Sequence, residues 1–105
     1  VKNENLSKGF WSTSSFMASF YNLLYETSNW LSSKGIKKNE AEKYTKELFL
    51  ALSKDAIKKN KTSLKQLVLE SQTPGGTNAY VLKELKKKKF YKLQQKVLNS
   101  IFKKF

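Results

Sequence analysis

Residues 73–78, with the sequence Thr-Pro-Gly-Gly-Thr-Asn, have the residue types that could hold a small anion. The proline, the only one in the chain, ends a preceding helix, and the two glycines let the backbone adopt a positive φ or approach a ligand closely. Thr77 or Asn78 can cap a helix that follows. The free N–H groups at such a helix start bind carboxylate or phosphate. The alternative interpretation is an ordinary turn between helices, for which Pro-Gly pairs are typical.

The remaining residue types exclude most enzyme chemistries. The chain contains no cysteine and no histidine, which excludes disulfides, thiolate nucleophiles, Cys/His zinc sites and triads with an imidazole base. Glu40 and Glu42 lie two apart on a predicted helix and therefore point to different faces. There is no GxGxxG or Walker sequence to hold phosphates. Alone, the chain is expected to bind no metal and no dinucleotide, and to catalyse no reaction.

Length and charge limit the possible partners. A chain of 105 residues predicts one domain, and the start at valine indicates a piece of a longer protein. No run of about 18 apolar residues is present to span a membrane. The net charge of +13 comes from lysine alone, and nucleic acid is the usual partner of so basic a chain. The lack of arginine argues against sequence-specific reading, and the lysines are spread along the chain rather than gathered into one patch.

The first half of the chain predicts two long helices. Residues 1–11 are expected to form a loop or arm, and residues 12–15 (Ser-Thr-Ser-Ser) offer N-caps for the first helix. Two neighbouring apolar rows follow, which favours a helix buried on two sides, by its own domain and by a partner subunit. Gly35 should end this helix. The apolar register of the second helix comprises Ala41, Tyr44 or Thr45, Leu48, Leu52 and Ala56.

The second half predicts three shorter helices. Ser63 and Gln66 have the spacing of a capping box at the start of a short helix. The fourth helix should begin near Thr77 and bury Tyr80, Val81 and Leu85. Residues 86–89 are four lysines, interpreted as a solvated break. The last helix, from residue 90, is apolar on one side and basic on the other, and is either the outer helix of a bundle or a membrane-surface helix.

The order of these elements resembles a known enzyme family. The motifs are Gly-Ile at 35–36, Pro-Gly-Gly-Thr at 74–77 and Val-Leu-x-x-Leu at 81–85, placed between helices in this order. Over residues 6–105 the chain is similar to the C-terminal dimerisation domain of pyrroline-5-carboxylate reductase. The resemblance implies an all-α, five-helix domain over residues 1–105 that forms an interlocked homodimer. It also implies that a Rossmann domain for NADPH or NADH lies outside this chain.

The resemblance further implies a substrate site at the turn. The backbone N–H groups of Gly75, Gly76 and Thr77 would bind the carboxylate of a small cyclic imino acid, which the cytoplasmic parent enzyme reduces to proline. Thr73 stands where the family usually has serine. Asn78 stands at the catalytic position, where the family usually has a threonine whose hydroxyl meets the substrate nitrogen. No nucleic-acid or membrane partner is implied.

The region from residue 11 to residue 16 also departs from the family's Gly-Ser-Gly-Pro-Ala-Tyr start, which makes the chain a divergent member. Folding or dimerisation should cover four of its aromatic side chains, Phe16, Phe20, Trp30 and Phe102. Two alternatives remain at this point. One is a stand-alone basic helical module that binds nucleic acid or anionic membrane, and the other is a structural helical oligomer without a ligand.

Overall fold

A computed structural model describes residues 2–105, with side chains from residue 3, and this part of the chain is all-α. The helices are α1 (Lys2–Ser14), α2 (Met17–Ser33), α3 (Lys38–Lys58), α4 (Leu64–Glu70), α5 (Thr77–Lys87) and α6 (Phe90–Phe102). The five helices expected from the sequence are α2 to α6, so the predicted fold class is confirmed. The chain divides into two compact units, a central unit of residues 15–62 and a terminal unit of residues up to 14 with 63–105. None of the helices within residues 2–105 is long and apolar enough to cross a bilayer.

The predicted N-terminal arm is wrong, because residues 2–14 form helix α1; Val1 lies outside the described residues. Three of the four residues expected to offer caps, Ser12, Thr13 and Ser14, instead donate their hydroxyls to carbonyls within α1. Ser12 Oγ donates to the Lys8 oxygen at 2.7 Å, and Ser14 Oγ donates to the Trp11 oxygen at 2.7 Å. Serine hydroxyls can satisfy carbonyls one turn back and so continue a helix instead of starting one.

Helices α2 and α3 form an antiparallel hairpin, the core of the central unit. Ser28 on α2 and Ala41 and Thr45 on α3 are almost fully buried, at 2%, 0% and 1% exposure. Small side chains at these positions let the two backbones approach closely. Further along the hairpin, the rings of Phe20 and Phe49 meet edge to face, with centroids 6.2 Å apart. The predicted register of α3 is thus resolved in favour of Thr45, since Tyr44 is exposed.

The connection between α2 and α3 is set by Gly35, as the sequence predicts. Its φ is 103°, a left-handed conformation that suits glycine. Its N–H donates to the Ser32 oxygen at 3.0 Å, and the N–H of Ile36 donates to the Leu31 oxygen at 3.3 Å. This pair of bonds is the Schellman arrangement, which satisfies the last carbonyls of a helix.

The terminal unit contains α1, α4, α5 and α6, with α6 in contact with both α1 and α5. The Trp11 and Phe105 rings meet edge to face at 5.6 Å. On α5, the prediction that Tyr80 and Val81 are buried is wrong, since they are 66% and 52% exposed, whereas Leu85 is half-buried. Helix α5 packs mainly against α6, so it covers only part of its apolar stripe.

The break between α5 and α6 falls within the lysine run, as expected. Helix α5 ends at Lys87, Lys88 is its C-cap, and Lys89 has a left-handed backbone with φ of 63°. All four lysines of residues 86–89 are exposed. The interpretation of this run as a solvated break is therefore confirmed.

Most large apolar side chains of the described residues remain partly in contact with solvent. Ala41 is the one apolar residue in residues 3–105 that is fully buried. Of the four aromatic residues expected to be covered, Phe16 and Phe102 are half-buried, whereas Phe20 and Trp30 are 43% and 60% exposed. Folding of the single chain thus leaves wide apolar faces on its helices.

Candidate functional site

The turn before α5 is built by its proline and its first glycine. The N–H of Gly76 donates to the carbonyl oxygen of Thr73 at 2.7 Å, which closes a four-residue turn. Pro74 occupies the second position of that turn, and Gly75 occupies the third with φ of 77°. Proline followed by a residue of positive φ is the pattern of a type II turn. The sequence therefore fixes this turn by local chemistry alone.

The two glycines are required for different reasons. At Gly75 an added Cβ would meet no atom within 4 Å, so only its left-handed φ of 77° calls for glycine. At Gly76 the φ is −84°, which any residue can adopt. There an added Cβ would lie 3.0 Å from the Thr73 oxygen, a tight contact that a shift of a few tenths of an ångström would relieve. Gly76 is therefore favoured by space and Gly75 by backbone conformation.

Helix α5 begins directly after the turn, with Gly76 as its N-cap. The Gly76 carbonyl accepts the first helical bond, from the N–H of Tyr80 at 3.1 Å. The prediction that Thr77 or Asn78 caps the helix is wrong, since they are its first two residues and no side chain caps its start. The second glycine takes the cap position because the type II turn ends on it.

The start of α5 leaves several donors open. Within residues 2–105, the N–H groups of Gly75, Thr77, Asn78 and Ala79 donate to no protein acceptor. The N–H of Gly76 differs, because it is already used inside the turn. Free N–H groups at a helix start carry partial positive charge and favour an anion.

The charges along α5 favour an anion at its first turn. That turn contains no aspartate or glutamate that would occupy the free N–H groups. Thr73, Gly75, Thr77 and Asn78 are all exposed, so the N-terminal end of the helix is accessible from solvent. Of the five predicted site residues, Thr73, Gly75 and Gly76 lie in the turn, and Thr77 and Asn78 are the first two residues of α5. The chemistry of this region suits a carboxylate held by backbone donors, with the Asn78 amide available beside it.

A comparison with protein-family models shows the family of the chain. A family model described as pyrroline-5-carboxylate reductase dimerisation matches residues 5–105. The chain belongs to this family. No curated protein and no solved structure matches the chain. The match covers α2 to α6 and most of α1, and therefore includes the turn at 73–78. The chain is a dimerisation domain of the pyrroline-5-carboxylate reductase family.

Two features of this region were not found from the sequence. One is the role of Gly76 as N-cap, which the Pro-Gly pair could have indicated, because a type II turn that starts at residue 73 must end at residue 76. The other is the use of the Gly76 N–H inside the turn, which follows from the same geometry. Both leave the N–H groups of Gly75, Thr77, Asn78 and Ala79 as the open donors.

Proposed function

We propose that this chain is the dimerisation and substrate-binding part of a cytoplasmic, NAD(P)H-dependent reductase that converts a small cyclic imino acid to proline. The family match over residues 5–105 is the observation that carries the proposal. The turn at 73–78 supports it, because its open N–H groups suit the carboxylate that such a substrate carries. All 105 residues would act as one domain in this enzyme.

A homodimer is the first part of the proposal, and the exposed apolar faces support it. Trp30 is 60% exposed and Phe20 is 43% exposed on α2. Covering the exposed part of one such ring stabilises an interface by about 2–3 kcal/mol, from ~25 cal/mol per Å² of apolar area. A twofold dimer gains each contribution twice. This gain must exceed the repulsion between two chains that each carry +13.

The hairpin of α2 and α3 offers a surface for the second chain. A groove on this hairpin is lined by Tyr21, Leu24, Tyr25, Ser28, Glu42 and Lys46. Its lining is mainly apolar, with one acid and one base. Such a mixture is typical of a protein interface, where an apolar centre is surrounded by charged groups. We therefore assign one part of the dimer contact to this face of the central unit. The exposed rings of Phe20 and Trp30, on other sides of α2, form the other part, so that the partner covers α2 on more than one side.

Binding of the substrate carboxylate at the turn is the second part. The N–H groups of Gly75 and Thr77 are the free donors on either side of Gly76, whose own N–H is used within the turn. Gly76 contributes the N–H and Thr73 the carbonyl of the hydrogen bond that closes the turn, and the lack of a side chain at Gly76 avoids a tight contact with the Thr73 oxygen. The helix dipole of α5 adds a favourable field for the carboxylate.

Asn78 would contact the substrate nitrogen. It is exposed in the first turn of α5, directly after the turn. An amide both donates and accepts hydrogen bonds, so it can bind a ring nitrogen whether or not that nitrogen carries a proton. A threonine hydroxyl at this position would be shorter and would reach a different point. Asn78 would therefore tune the rate or the choice of ring substrate.

The nicotinamide cofactor would be held outside this chain. The 105 residues contain no GxGxxG turn of the kind that holds the pyrophosphate of a dinucleotide, so they do not fit the cofactor. NADPH or NADH would supply the hydride from a Rossmann domain of the parent enzyme. The part played by residues 1–105 is to hold the substrate and to join two subunits.

Proline binding followed by NMR tests the substrate site. Millimolar L-proline should shift the amide signals of Gly75, Thr77 and Asn78 in the ¹⁵N-labelled chain. L-prolinamide, which has the same ring and no carboxylate, is the matched control and should leave them in place. Equal shifts with both ligands, or shifts confined to other helices, would refute the carboxylate site.

The activity is tested on the longer parent enzyme. It should oxidise NADPH or NADH in the presence of pyrroline-5-carboxylate, and residues 1–105 alone should not. Replacing Asn78 with threonine should change kcat for this substrate, whereas alanine at Asn78 should lower it. A parent enzyme without any reductase activity on cyclic imino acids would refute the proposed reaction. The same result would not contradict the proposed homodimer.

A further inference from the structure

The positive charge of the chain is concentrated near its C-terminal end. Between residues 83 and 104 there are nine lysines and one acid, Glu84, so this stretch contributes +8 of the total +13. The Glu84 carboxylate lies 3.9 Å from the Lys88 ammonium, which offsets the only negative charge there. The expectation that the lysines form no patch is therefore incomplete, since Lys86 and Lys92 share one groove in the folded structure.

That groove, which we call the α5–α6 groove, is lined by Lys86, Tyr91, Lys92 and Gln95. Lys86 comes from the last turn of α5, and the other three residues come from the first two turns of α6. The left-handed backbone of Lys89 reverses the chain between the two helices. Two cations, a phenol and an amide therefore surround one open space.

The two groove lysines have no anionic partner in the described part of the chain. Neither Lys86 nor Lys92 has a carboxylate oxygen within 4 Å, and both are exposed. Two like charges on one groove repel each other, so binding an anion there relieves repulsion as well as adding attraction. Lysine acts as a point charge toward phosphate and needs no fixed geometry.

We propose that the α5–α6 groove binds the phosphate backbone of a single-stranded nucleic acid, with Tyr91 stacking on a base. The inference goes beyond the proposed reductase function and does not depend on it. A chain of phosphates suits the site better than one phosphate, because Lys96 continues the row one turn along α6 from Lys92. The rise of about 6 Å between them matches the spacing of successive phosphates.

The single strand is favoured by an aromatic ring that lies beside the groove lysines. Tyr91 is 39% exposed, and its ring, edge to face against that of Phe90, is the aromatic surface that the groove offers to a base. Bases in a duplex are stacked on one another and are not free for this contact. The absence of arginine favours backbone contacts without sequence preference. A bilayer would instead need the apolar side of α6 for insertion, and Gln95 and the tyrosine hydroxyl do not suit that role.

The test uses the whole chain and a fluorescein-labelled strand of twelve thymidines, followed by anisotropy over a series of salt concentrations. The association constant should fall as the salt concentration rises. The double variant Lys86→Gln/Lys92→Gln should reduce the slope of log association constant against log salt concentration by about 1.4, because each lysine that neutralises a phosphate adds ~0.7 to that slope. Tyr91→Leu should weaken binding about five-fold or more at constant slope. These side chains are exposed, and unchanged circular dichroism would verify that the variants fold.

The matched control is Lys58→Gln/Lys61→Gln in the central unit, which removes the same charge from exposed lysines without a nearby carboxylate. It should leave the slope unchanged. An equal effect of both double variants would mean that diffuse charge binds the strand, and would overturn the site. Equal affinity for a duplex, or no effect of Tyr91→Leu, would overturn the single-strand assignment. Binding to phosphatidylserine vesicles without binding to the strand would assign the groove to a membrane and would likewise overturn it.

Discussion

Replacing Gly75 with alanine should destabilise the turn that precedes α5. Gly75 has φ of 77°, in the left-handed region, and an added methyl group would meet no atom within 4 Å. The effect is therefore one of backbone conformation and not of steric contact. A residue with a Cβ is less stable by about 1–2 kcal/mol in that region. Alanine regains about 0.4–1 kcal/mol, because it restricts the unfolded chain more than glycine does.

The net decrease is about 1 kcal/mol of unfolding free energy. For a domain of this size it lowers the Tm by about 4–8 °C. Thermal unfolding should be followed by circular dichroism at one fixed chain concentration, because the Tm of a dimer depends on concentration. Gly75→Ala should also reduce the amide shifts caused by L-proline, since the donor at residue 75 moves with the turn.

Two variants make this test specific. Gly9→Ala lies inside α1, where an added Cβ also meets no atom within 4 Å, and should stabilise the chain by about 0.5–1 kcal/mol. Gly75→Asn should lower stability less than alanine does, because asparagine tolerates the left-handed region. A Tm of Gly75→Ala equal to or above that of the original chain would refute the type II turn.

Three further predictions concern packing and backbone. Ala41→Leu should lower the free energy of unfolding, measured in urea, by about 1–3 kcal/mol, because Ala41 is fully buried between α2 and α3. A decrease below about 0.5 kcal/mol would contradict the close approach of the two helices. Trp30→Ala should raise the dimer dissociation constant at least about a hundred-fold, and an unchanged constant would exclude Trp30 from the interface. Lys89→Gly should raise the free energy of unfolding by up to about 1 kcal/mol, because glycine adopts the φ of 63° without strain. The neighbouring variant Lys88→Gly should lower that free energy, because φ is −83° there.

Much of the fold follows from local sequence signals. Gly35 ends α2, and the Ser63 hydroxyl accepts the N–H of Gln66 at 3.1 Å at the start of α4, as predicted. The side chain of Gln66 donates to Glu70 at 2.9 Å and does not complete the capping box. These features involve neighbours within a few residues, which is why spacing alone reveals them.

What the sequence did not reveal depends on contacts between distant residues. Helix α1 packs on α6 at the opposite end of the chain, and Trp11 meets Phe105 there. Neither segment predicts this contact by its own periodicity, so the pattern of residues 1–11 indicated an arm. The exposure of Tyr80 and Val81 likewise depends on which helix faces α5.

The two candidate sites, the turn at 73–78 and the α5–α6 groove, differ in whether neighbouring residues in the sequence determine them. The turn at 73–78 was predictable because proline and glycine determine backbone geometry locally. The open donors at its end follow from that geometry once the Gly76 N–H is assigned to the turn. The α5–α6 groove was not predictable, because Lys86 and Lys92 come together only when α5 and α6 pack.

Membership in a dimerisation family, together with the exposed rings of α2, makes the oligomeric state the most direct test of this account. Sedimentation equilibrium of residues 1–105 should give a mass near 24.4 kDa, which is twice the 12.2 kDa of one chain. A mass of 12.2 kDa that persists as the concentration rises would contradict the account.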